Sequence, residues 1–177
     1  MTFQEHLVRI LASATGVGNV MNTSWAWPVA ESLHFIGLSV LTGTIGMFDL
    51  RVLGMASRVP IAVFQRLLPW GLLGFAFTTL SGAAFLMTEP DQYVFNSAFH
   101  FKLLFMALAG LNALTFTVIA GRNAAALTGE QSPVSAKIMA LASLILWMAV
   151  LVCGRLLTFH RPGDCGAEGP GFLADCF

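Results

Sequence analysis

The chain has 177 residues, of which 56% are hydrophobic and 10% charged, and its nine basic and nine acidic side chains leave no net charge. Such a composition, at a mean hydropathy of +0.77, excludes an ordinary soluble domain and predicts an integral membrane protein. The balanced charge, with no basic stripe, excludes nucleic acid as a partner and leaves the lipid bilayer as the first one.

Residues 1–24 read as an interfacial amphipathic helix and linker. Phe3, Leu7, Ile10 and Leu11 recur at helical spacing with Glu5 and Arg9 opposite, the pattern of a helix lying on a membrane surface; a frayed tail is the alternative. The apolar run LVRILASA is short and broken by Arg9, so no secretory signal is expected.

Four stretches free of Asp, Glu, Lys and Arg follow, at 32–48, 67–88, 103–121 and 138–154. Each approaches the roughly 20 residues that cross a bilayer. Unpaired backbone amides are costly in lipid, so each stretch should be helical. The expected fold is therefore all-α, an integral membrane four-helix up-down bundle over residues 25–160, with spans at Trp27–Leu53, Phe64–Thr88, Ala98–Gly121 and Val134–Phe159. Short links containing TEPDQY and TGEQSP make neighbouring spans antiparallel, and Pro69 predicts a kink.

Arg51, Arg58 and Arg66 mark one side of the bundle together with Arg122 and Lys137, whereas Glu89, Asp91, Asp164, Glu168 and Asp175 mark the other. The positive-inside rule makes the basic side cytoplasmic, so the expected location is a bacterial inner membrane, multi-pass, with both termini periplasmic. Trp25 and Trp27 suit interfacial anchors. Residues 161–177 form an outward-facing Gly-rich tail in which Cys165 and Cys176 are expected to make a stapling disulfide; lipidation or metal binding by that pair is the alternative. Cys153, inside the fourth span, reads as a small packing residue.

This topology carries all four histidines, His6, His34, His100 and His160, toward the outer face. Ionisable residues in or near the spans are Glu31, His34, Asp49, Lys102 and Arg155, and such groups mark functional sites by default. Asp49 lies near the cytoplasmic end, where snorkelling or local pairing is an adequate account. His34 lies roughly 10 Å and Lys102 about 6 Å below the outer boundary, with His100 nearer the rim and Arg155 about one turn from its helix end.

An imidazole among cations and apolar walls suits haem b, with His34 as axial ligand and Lys102, Arg155 or Arg161 at the propionates. His100 is the first candidate for a second ligand, and Lys102, His160 or an open position remain alternatives. Gly37, Gly43 and Gly46 with Gly71, Gly74 and Gly82 leave room for a flat ring, or are simple packing contacts. Glu31 and His34 form a single E-x-x-H pair, short of a di-metal set. Eight scattered methionines make copper the other metal to weigh. Without a C-x-x-C-H motif any haem is non-covalent.

The segments AESLHFIGLSVLTGTIGMFDLRVLG, PWGLLGFAFTTLSGAAFL, YVFNSAFHFKLLFMALAGLNALTF and the GR of LVCGRLLTF resemble a family of uncharacterised bacterial four-helix membrane proteins. More distantly, His34 before a small-residue helix and Lys102 in HFKLLF are similar to the haem-dependent protoporphyrinogen oxidase and to copper-resistance-type membrane domains. That resemblance implies haem at His34 and a functional role for Lys102. DLRVLG departs from the oxidase pattern, which bears on the activity more than on the haem site. The expected function is a haem b-binding protein in electron transfer or a membrane oxidoreductase subunit, serving the quinone pool or a periplasmic electron-transfer partner. A cofactor-free accessory subunit of a larger membrane complex is the second reading, and a copper or small-solute carrier the third.

Overall fold

A computed structural model describes residues 3–13, 15–56, 58–122 and 132–159. His160, Arg161, Cys165 and Cys176 lie outside them, so the expected tail disulfide does too. The described chain forms α1 (Phe3–Ala12), α2 (Thr15–Met21), α3 (Ala26–Leu53), α4 (Ile61–Gln65), α5 (Leu68–Thr88), α6 (Pro90–Val94), α7 (Ser97–Arg122) and α8 (Val134–Leu156), with no strand among the described residues. Four segments are long and apolar enough to cross a membrane: Ala26–Leu53, Ile61–Thr88, Ser97–Val118 and Val134–Leu156. The protein is an all-α, four-span membrane bundle, as its hydrophobic runs require.

The helix ends follow from local chemistry. Pro28 sits in the first turn of α3, where a missing N–H costs nothing. The same helix stops at Gly54, whose φ of 108° is open to a residue without Cβ, and the N–H groups of Gly54 and Met55 donate to the carbonyls of Arg51 and Leu50. Pro69, where a kink is expected, stands at a helix start. The ring stands at the first positions of α5, after α4 has ended, because proline lacks only a donor that the first turn does not use. Pro90 starts α6 in the same way, so the TEPDQY link contains a turn of helix.

The first two spans pack backbone to backbone. A Cβ on Gly74 would lie 2.6 Å from the Gly37 carbonyl oxygen and 2.8 Å from the Leu41 nitrogen, and one on Gly37 would lie 2.8 Å from the Gly74 oxygen. These glycines are consumed by helix contact, and Gly43 faces open space. Of the six glycines expected to flank a flat ring, only Gly82 adjoins His34.

The first span also packs on the fourth, and the fourth on the third, whereas the second and third share at most isolated contacts. One end holds an apolar core of Phe48, Val52, Ile61, Ala136 and Ala140, ringed by Phe64, Leu68 and Phe116. At the other end α1 lies on α5 and α6, and α2 on α5 and α3, with Met21, Ala26, Val94 and Ala98 buried beneath. No residue of α1 is buried; its apolar Phe3 and Ile10 are exposed, ready for lipid.

Candidate functional site

His34 lies two turns into the first span, beneath the end covered by α1, α2 and α6. Its Nδ1 is 2.9 Å from Ser81 Oγ on the second span. Ser81 Oγ also lies 2.7 Å from the Phe77 carbonyl and 3.2 Å from the Thr78 carbonyl. With its one hydrogen on the Phe77 carbonyl, its oxygen accepts from His34 Nδ1–H and Nε2 keeps its lone pair. The Thr78 carbonyl, another pure acceptor, also acts on the ring.

The ring edge turned toward the second span is the Nδ1–Cε1 edge: a Cβ on Gly82 would sit 3.6 Å from Cε1 and 4.0 Å from Nδ1. Phe85 packs against the imidazole with centroids 5.7 Å apart, and Trp27 lies 5.0 Å beyond it. The result is a half-buried imidazole, held in orientation by a neighbouring helix.

Lys102 enters from the third span. Its Nζ would lie 3.7 Å from a Cβ on Gly154, and its charge acts on both Cys153 and His34. A side chain at Gly154 would occupy the space the ammonium uses. Cys153 is buried and free, in keeping with a packing role. The structure therefore sets the Lys102 ammonium beside Gly154 of the fourth span, near enough to His34 for its charge to act on the imidazole.

The remaining candidates lie apart from this pair. His100 is exposed, with Phe99 as its ring neighbour at 6.4 Å, and no described hydrogen bond or ring contact joins it to His34. Arg155 is exposed too. Its Nη1 donates to Thr158 Oγ1 at 3.2 Å and its guanidinium lies 4.7 Å from the Phe159 centroid, so it folds along its own helix end. Glu31 and His6 are exposed. Among the described residues no three of His, Cys, Asp and Glu converge as a metal-binding group.

Two partners, Ser81 and Ser143, were not legible in advance. Ser81 reads in sequence as one small residue among several in TTLSGAAF, and only the crossing of the first two spans shows that it holds the imidazole. Asp49 is 5% exposed and thus does not snorkel. It hydrogen-bonds Ser143 on the fourth span, while its Oδ2 is buried with no partner.

Fold and site define a small polytopic membrane protein with a histidine and a lysine among the helices of a four-helix bundle. The chain belongs to DUF6644, a family of unknown function, whose profile matches residues 13–160. No curated protein and no solved structure matches it.

Proposed function

We propose that this protein binds haem b through His34 and carries electrons, on its own or as a subunit of a membrane oxidoreductase. The observation that carries this reading is the imidazole held at Nδ1 by Ser81. Histidine ligands to metals ordinarily donate their other ring N–H to a fixed acceptor, which sets the tautomer and the ring plane. Here Nε2 is the nitrogen left to ligate iron. A porphyrin brings four nitrogens of its own, so it needs only one or two protein ligands; a copper or di-metal centre would need a larger set than the described residues bring together.

Lys102 would hold a propionate, Phe85 and Trp27 would supply apolar wall, and bound haem would supply one-electron chemistry. The distant likeness to haem-dependent protoporphyrinogen oxidase at His34 and Lys102 points the same way. The basic residues Arg51, Arg58, Arg66 and Lys137 fall toward the end of the spans remote from His34, which under the positive-inside rule favours a periplasmic side of a bacterial inner membrane for the site and both termini. Quinone or a periplasmic redox protein would then be the electron partner.

The test is an absorption spectrum of the purified protein, oxidised and dithionite-reduced, with a pyridine haemochrome assay. A stoichiometric b-type signal is expected. His34→Ala should lose the Soret band while still inserting, Ser81→Ala should weaken haem binding about tenfold to a hundredfold, and His100→Ala should keep the haem. Unchanged haem content in His34→Ala would overturn the assignment.

A second reading, a cofactor-free accessory subunit, is favoured by the third span, of whose most apolar stretch only 6% is buried. Leu104, Leu108, Leu111 and Leu114 stand exposed along it. Protein purified from its native membrane with a stoichiometric partner and without haem would favour that reading.

A further inference from the structure

At the end of the bundle remote from His34, we propose that Asp49 and Ser143 form a proton-binding site inside the membrane. This site is independent of the haem reading. Asp49 is nine-tenths buried, and its Oδ2 meets no donor. Its depth is set by its partner: Ser143 is the tenth residue of α8, roughly 13 Å along the axis from Val134. Val52, Ile61, Ala136 and Ala140 pack at the adjoining end of the same spans, so apolar side chains lie between the carboxyl and the water beyond that end.

A carboxylate at such a place needs a counter-charge, because its charge loses its hydration there. Two of the cations at this end are directed elsewhere or set apart. Arg51, on the same helix, donates from Nε to the Val59 carbonyl at 2.8 Å. Lys137 stands six residues before Ser143 in α8, about 9 Å along the axis. α5 has no charged residue, and α4 has none either. A divalent ion is poorly served, since it takes six or more oxygens and no group of three His, Cys, Asp or Glu exists among the described residues. The proton is the cation that one carboxyl oxygen binds alone. With it bound, the acid can donate to Ser143 Oγ and leave a neutral carbonyl oxygen as the one unpaired atom, the least costly state for an orphan in this position.

The chemistry can be read without any knowledge of the protein's activity. Dicyclohexylcarbodiimide partitions into membranes and attacks only protonated carboxyl groups. Membranes containing the full-length protein are treated with the reagent across a pH series, and the adduct is located by mass spectrometry. The expected result is an adduct at Asp49 that declines as pH rises and is absent from Asp49→Asn, a variant that replaces the acid by a neutral isostere and should insert normally. Protection by sodium ions at constant pH would overturn the proposal in favour of a metal cation. Absence of the adduct at every pH, with the Asp49 peptide labelled after denaturation, would overturn it by showing a permanently ionised or paired carboxylate.

Discussion

At the scale of single residues, the two polar sites are held by hydroxyls from neighbouring helices. Ser81 orients His34 and Ser143 meets Asp49. Sequence singles out both ionisable residues, because a histidine or an aspartate inside an apolar run is costly wherever it sits. It does not single out the serines, since a hydroxyl in a helix can satisfy itself on a carbonyl one turn back, as Ser39 and Thr42 do here. The glycines divide in the same way. Gly74→Ala, which forces a methyl onto the Gly37 carbonyl, should destabilise the protein by about 1–3 kcal/mol in denaturant titrations in mixed micelles. Gly110→Ala, with nothing within 4 Å of the added carbon, should cause no loss.

At the scale of helices, the number and limits of the spans were legible because lipid enforces both length and apolarity. The predicted starts and ends of the first and third spans lie within a residue of the observed helices. The fourth was extended three residues too far, to Phe159 rather than Leu156. In the second span Pro69 follows a short interruption between α4 and α5, across which the apolar composition continues. Which helices touch was not legible. The third and fourth spans are joined by the Asn112 amide, which donates to the Met139 carbonyl at 3.0 Å. Asn112→Leu should cost about 0.6–1.7 kcal/mol and lower the resistance of that helix pair to denaturation.

At the scale of the molecule, an even number of spans returns the chain to the side on which it began, so α1 and the end of α8 share one face. A cytoplasm-specific reporter fused after Phe177 is expected to be silent and a periplasm-specific one active; the opposite pattern would invert the orientation and place His34 at the cytoplasmic face. The surface helices α1, α2 and α6 cover that end of the bundle, while the second and third spans hardly touch. In a bilayer, acyl chains rather than water would border the bundle between those two spans. Whatever meets the bundle there would come from the lipid, concentrated by its own oil solubility and diffusing in two dimensions.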